Sequence, residues 1–170
     1  GSAYISEQIW RQVVELKKVK PVVVSMGNVA ASGGYYISCA ANKIIAEPNT
    51  LTGSIGIFGM FPNASGLFGK LALTTDIVKT NTFSDLGDLS RPMTESEKAL
   101  IQGYVERGYQ TFLSRCAEGR GMTTEAVNAI GQGRVWTGEQ AKERGLVDEL
   151  GGIELAISTA AGLADLDQYS

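Results

Sequence analysis

The apolar run Pro21-Val22-Val23-Val24-Ser25-Met26, followed after a short connection by Ala30-Ala31-Ser32-Gly33-Gly34-Tyr35-Tyr36, sets the tightest limit on the fold of this chain. An unbroken apolar run of this length reads as a strand buried on both faces, the pattern of a parallel sheet. The small residues around Ser32 let the backbone turn tightly into a helix, expected over 32–41. A strand feeding a helix through such a turn is the building unit of an α/β domain covered by helices. The turn also offers chemistry, because the first N–H groups of a helix lack intrahelical partners and can stabilise an oxyanion beside the Ser32 hydroxyl. Small residues at a strand–helix junction serve packing equally well, so the residues by themselves leave both readings open.

The rest of the chain alternates strands and helices. Ile5, Ile9, Val13 and Leu16 repeat at helical spacing, widened by Trp10 and Val14, and predict an amphipathic helix over 6–19 with Ser6 as its cap. Lys17, Lys18 and Lys20 form a solvated cationic face at its C-terminal end. Strands are expected at 43–46 and 74–79, a short helix at 65–71 and a turn-rich loop at 81–92. Thr94 with Glu97 and Thr137 with Gln140 are capping-box signatures, the first opening a long helix to about Glu118 and the second a helix stopped by Gly145. A last helix is expected over 153–163. The Leu51–Gly59 stretch is β-prone but interrupted by glycines, which fit a plain glycine-rich bend as well as a bulge or a close backbone approach. The strands number only about four, and the chain opens with a helix almost at once, as in a fold whose first strands lie outside this stretch.

With 170 residues, 44% of them hydrophobic, the chain can bury a core of its own as one domain. A net charge of −3 and a pI near 5.0 argue against a nucleic-acid partner. No apolar run is long enough to span a bilayer, and Gly1–Leu16 lacks the basic start and apolar block of a signal peptide. Cys39 and Cys116 are too few and too distant in sequence for a disulfide framework and read as small buried hydrophobes. The absence of histidine excludes, within the chain, a Ser-His-Asp triad, a Cys-His pair and the usual zinc sites. No metal or cofactor is expected.

Four segments in order carry a likeness: Pro21–Met26, Ala30–Tyr36, Leu51–Gly59, and Gln132-Gly133-Arg134-Val135-Trp136-Thr137-Gly138 followed by Ala141 and Gly145-Leu146-Val147-Asp148. Together they resemble the signal peptide peptidase A family, serine endopeptidases with a fold related to the Clp protease subunit and crotonase. The resemblance implies that Ser32 is the nucleophile and that the Gly33 N–H is an oxyanion donor. It implies a second donor at Gly1, where the tail of a Ser-Pro-Gly-Gly-Ser-like turn would fall. The family uses a lysine as general base, which fits a chain without histidine. A free lysine is neutral in only about one molecule in a few thousand at pH 7, so the base belongs in a desolvated cleft. Ser54 matches the serine that hydrogen-bonds and orients that lysine.

The chain departs from the family pattern at the lysine itself. The segment Lys79-Thr80-Asn81-Thr82-Phe83-Ser84-Asp85 places Ser84 where shorter relatives carry the catalytic lysine, and Lys79 matches a different lysine of the motif. By resemblance the chain is the C-terminal, serine-bearing copy of a two-copy protein, and the absent N-terminal half supplies the base. The resemblance further implies signal peptides and other apolar peptides as substrates, a homo-oligomer, a tetramer in the two-copy form, and a place at the bacterial inner membrane facing the periplasm. Ile55, Ile57, Phe58 and Met60 fit either an apolar substrate groove or the core. Leu100, Ile101, Tyr104, Val105, Phe112 and Leu113 of the long helix fit internal packing better than a neighbour. Competing readings are a self-sufficient hydrolase with Lys79 as base, a silent scaffold of a membrane complex, and a crotonase-like acyl-CoA enzyme. Lys43, Lys70, Lys98 and Lys142 read as surface residues.

Overall fold

The computed structural model describes residues 1–166. In chain order the elements are α1 (Ala3–Lys17), β1 (Val23–Met26), β2 (Val29–Ala31), α2 (Gly33–Ser38), β3 (Lys43–Ala46), β4 (Leu51–Gly53) and α3 (Ser65–Lys70). There follow α4 (Glu95–Arg120), α5 (Thr124–Ile130), β5 (Val135–Thr137), α6 (Gly138–Glu143), β6 (Glu149–Leu150) and α7 (Ile153–Leu163). The chain divides into two compact units, one of Gly1–Gly56 with Gly108–Ser170 and one of Ile57–Arg107.

The first unit holds the α/β architecture. Where one mostly parallel sheet was expected, the described residues form two three-stranded sheets, β1-β3-β6 and β2-β4-β5. The first is parallel throughout, and in the second β2–β4 is parallel while β4–β5 is antiparallel. Strands β2, β5 and β6 and helix α5 went unforeseen. Strands of two or three residues are too short for side-chain alternation to register in sequence.

Strand β3 and helix α7 fall on their expected spans, and both capping boxes form. The Glu97 N–H donates to Thr94 Oγ1 (3.3 Å) and the Glu97 carboxylate accepts from the Thr94 N–H (2.7 Å). Thr137 and Gln140 exchange the same pair of bonds, each 3.2 Å. The long helix passes through Gly119 and stops at Gly121, whose φ is 63°.

Helix α1 departs from expectation in two ways. Its cap is Ser2, whose side chain accepts from the Ile5 N–H, and Ser6 is buried inside the helix. The apolar stripe is also rotated: Ile5, Ile9 and Leu16 are exposed, while Ser6 and Trp10 face inward. The small Ser6 side chain lets α1 approach so closely that a Cβ on Gly33 would stand 2.8 Å from Ser6 Oγ, and this approach selects the buried face. The Lys18 and Lys20 side chains are exposed and Lys17 is half-buried.

Tyr35, Cys39, Ile44, Ile55, Cys116 and Leu146 anchor the core of this unit. The Tyr35 hydroxyl donates to the Leu146 carbonyl across it (2.9 Å). Both cysteines are free and buried, as expected; folding brings the two thiols together, and burial pushes the Cys116 thiol up. Phe112 and Leu113 pack into this core as expected.

In the second unit, α3 and the first part of α4 form where expected. The 74–79 segment is not a strand, since among the described residues it has no partner strand and an isolated strand leaves its N–H and C=O groups unpaired. Asp85 and Glu97 are buried carboxylates joined by Arg91, at 2.8 Å and 2.5 Å. Leu100 and Tyr104 of α4 lie exposed on this unit. Phe58 and Met60 are exposed as well, while Ile55 belongs to the core of the first unit, which removes Ile55 from an apolar groove.

Candidate active site around Ser32

Ser32 stands between β2 and α2, so the strand that delivers it is β2, not the longer apolar run of β1. Its backbone has φ 53° and ψ −116°. A residue bearing a Cβ pays a steric cost there, and such conformations persist where the surroundings impose them and function uses them. The Ser32 N–H donates to the Gly53 carbonyl (2.9 Å), and the Tyr36 N–H closes the first turn of α2 on the Ser32 carbonyl (2.8 Å).

The parallel register of β2 and β4 pairs Ala31 with Gly53. The next residue on each strand is a serine, so Ser32 and Ser54 leave their strands side by side. Ser54 also has a positive φ, 49°. Both residues are partly accessible. Sequence reasoning named both serines; the register that sets them together is a tertiary fact.

Gly1 lies next to Gly33, with its Cα 3.7 Å from where a Gly33 Cβ would stand. The two glycines named as oxyanion donors therefore meet at the head of α2. A network behind them fixes α1 against α2: the Tyr36 hydroxyl donates to Glu7 Oε2 (2.5 Å), and Arg115 pairs with Glu7 Oε1 (2.9 Å). Arg115 also covers the Trp10 ring at 4.0 Å. Burial alone would raise the Glu7 carboxyl, but the Tyr36, Arg115 and Arg11 hydrogen bonds outweigh it and hold Glu7 below its ordinary range. Burial, then the Glu7 carboxylate, push the Tyr36 hydroxyl up. Nothing in the sequence marked Glu7 or Arg115, since their partners lie on other elements.

An open apolar groove of about 390 Å³ runs along β1 between α1 and α2 and reaches Gly34, with Ile9, Val13, Val24 and Ile37 among its walls. The late Gly145–Asp148 motif is structural. Asp148 accepts from the Ile44 N–H (2.7 Å) and from both terminal nitrogens of Arg120 (3.0 and 2.9 Å), which ties β3 and α4 together.

Ser84 and Lys79 belong to the second unit. Ser84 is exposed and its hydroxyl donates to the Asn81 carbonyl (3.1 Å). Lys79 forms a salt bridge with Asp85 (3.1 Å), the arrangement of an ammonium ion rather than of the neutral amine a general base requires. Of the other lysines, Lys70, Lys98 and Lys142 are exposed and Lys43 is half-buried. Among the described residues no group of acidic, histidine or cysteine side chains is arranged to hold a metal ion, and no helix is long and apolar enough to cross a membrane.

A chain of similar length superposes weakly: a ClpP1 N165D mutant from Listeria monocytogenes has TM-score 0.47 at 14% identity, covering 92% of this chain and 89% of that one. An enoyl-CoA hydratase/isomerase family protein from Hyphomonas neptunium gives TM-score 0.45 at 19% identity, over 91% of this chain and 42% of that one. The α/β class itself is read from this chain's own strands and helices. In sequence, Protease 4 of Salmonella typhi is 42% identical over 99% of the chain, and Protease 4 of Haemophilus influenzae 41% over 99%. The chloroplastic serine protease SPPA of Arabidopsis thaliana is 38% identical over 98% of the chain. The chain spans 27%, 27% and 25% of these relatives, about a quarter of their length. Residues 14–167 match the peptidase family S49, and with nine-tenths of its length inside that match the chain belongs to this family.

Proposed function

We propose that this chain carries the serine side of a Ser/Lys peptidase site whose general-base lysine resides in the N-terminal half of a longer protein. The observation that carries the reading is the Ser32 backbone, φ 53° and ψ −116°, on the β2–α2 turn with Ser54 beside it. A serine forced into that conformation presents its hydroxyl clear of the strand, where an acyl group can reach it. Relatives named as proteases over almost the whole chain, and a Lys79 engaged by Asp85, support a base from outside the chain.

In this reading the Ser32 hydroxyl attacks a peptide carbonyl while its proton passes to the neutral lysine amine, which Ser54 orients. Charge on the carbonyl oxygen is met by the N–H groups of Gly33 and Gly1. The lysine then returns the proton to the leaving amine, and water, deprotonated by the same lysine, hydrolyses the acyl-enzyme. The substrates are remnant signal peptides and other apolar peptides, cut by a homo-oligomer, a tetramer of the two-copy form, at the bacterial inner membrane on its periplasmic side.

The test is made on the full-length protein. Ser32→Ala abolishes peptide hydrolysis and fluorophosphonate labelling, whereas Lys79→Met retains both. Turnover that survives Ser32→Ala refutes the reading, and loss of turnover in Lys79→Met returns the base to this chain.

A further inference from the structure

The Gln132-Gly133-Arg134 segment recurs in the sequence likeness, yet the reaction as proposed assigns it no part. It folds as a turn against the Ser54 segment. The Ser54 N–H donates to the Arg134 carbonyl (2.7 Å) and the Gly133 N–H to the Ile55 carbonyl (2.8 Å). These bonds continue the β4–β5 pairing, whose last partners are Gly53 and Val135. The approach is so close that a Cβ on Gly56 would stand 2.7 Å from Gly133 backbone atoms.

The turn itself is costly, since Gln132 has φ 59° and Gly133 φ 77°, and Gln132 carries a side chain. Its surroundings hold it from several sides. The Tyr109 hydroxyl accepts from the Gln132 N–H (2.9 Å) and donates to Asn128 Oδ1 (2.8 Å). Arg134 donates to the carbonyls of Gly131 (3.0 Å) and Ala129 (2.6 Å). Trp136 Nε1 donates to the Ile130 carbonyl (3.0 Å). The Tyr109 ring packs against the core, and its hydroxyl couples α4 to the turn.

We propose that Tyr109 is a positioning residue for Ser54, acting through the turn 131–134; its catalytic consequence rests on the reading of Ser54 given above. Removing the hydroxyl leaves the Gln132 N–H and Asn128 without that partner and lets the turn relax, and the acceptor that fixes the Ser54 backbone moves with it. A displaced Ser54 hydroxyl stabilises the neutral lysine less, so the base titrates at higher pH. Tyr109 is tied to Ser54 through the turn, so the expected loss falls on kcat rather than on KM.

The full-length protein is compared with its Tyr109→Phe, Ser54→Ala, double and Ser32→Ala variants, with Asn128→Ala as a second way to weaken the hydroxyl's hold. Hydrogen exchange is followed in peptides containing Ser54 and Gly133, and hydrolysis of a fluorogenic apolar peptide is followed against pH. Tyr109→Phe and Asn128→Ala are expected to speed exchange around Ser54 and Gly133 while leaving β3 unchanged. Tyr109→Phe is expected to lower kcat about five- to tenfold at constant KM and to raise the acidic limb of the rate profile by about half a pH unit. In the Ser54→Ala background it adds no further loss. Unchanged exchange at Ser54 in both variants overturns the proposal, as does a Tyr109→Phe loss that is undiminished in the Ser54→Ala background. Full activity of Ser32→Ala condemns instead the peptidase mechanism, and the exchange data then still decide whether Tyr109 holds Ser54.

Discussion

Replacing Asp148 with alanine strands a buried cation. The Arg120 side chain is 8% exposed and its terminal nitrogens donate to both Asp148 oxygens, while Asp148 also accepts from the Ile44 N–H. Asp148→Ala removes both acceptor oxygens, and with them all three hydrogen bonds, at once. Breaking a buried pair by deleting one partner costs about 3–5 kcal/mol, and the partial exposure of Asp148 places this case near the lower end. For a chain of this length about 3 kcal/mol corresponds to a fall in Tm of about 6–12 °C. Denaturant titration should show the midpoint falling at unchanged slope. The double variant Arg120→Met with Asp148→Leu removes the stranded charge but leaves the Ile44 N–H unmet and the Gly145 carbonyl without its Arg120 Nε donor, so it should recover about half of the loss.

The same pair fixes a pH dependence. Burial works against the charged form of Asp148, but hydrogen bonds from Arg120 and the Ile44 N–H prevail and lower it below its ordinary value of 3.8. A carboxylate lowered in the folded state contributes stability that is present above its unfolded value and lost as the pH falls through the folded one. The native protein should therefore lose stability more steeply than Asp148→Ala below about pH 4, and the two should run parallel above about pH 5. A cost under about 1 kcal/mol for Asp148→Ala, or parallel curves down to pH 2, would refute the reasoning.

Gly119→Ala drives a methyl group into the Cys39 carbonyl, which is backbone and cannot swing away; a loss of about 3 kcal/mol is expected by thermal or denaturant unfolding. Tyr36→Phe removes the hydroxyl that donates to Glu7 but leaves Arg115 and Arg11 on that carboxylate, so the cost is about 1 kcal/mol in the same assay. Thr137→Ala breaks the capping box of α6 and should cost about 1 kcal/mol, with Thr137→Ser restoring most of it.

The local steps of this fold were written in the chain. Apolar continuity marked β1, side-chain pattern marked β3 and α7, and two capping boxes marked where α4 and α6 begin, because each depends on residues within a few positions of one another. The small residues around Ser32 announced a tight turn for the same reason. The turn's conformation, the pairing of Ala31 with Gly53 and the seat of Gly1 beside Gly33 depend on residues remote in sequence. Only the tertiary structure brought the strand ends before Ser32 and Ser54 into register, chose the Ser6 and Trp10 face of α1 for burial, brought the free thiols of Cys39 and Cys116 together and placed Tyr109 behind the Gln132 turn. Residue types and short spacings record what one element can do. Which elements meet is decided by packing in three dimensions, and this chain's candidate chemistry lies at such a meeting.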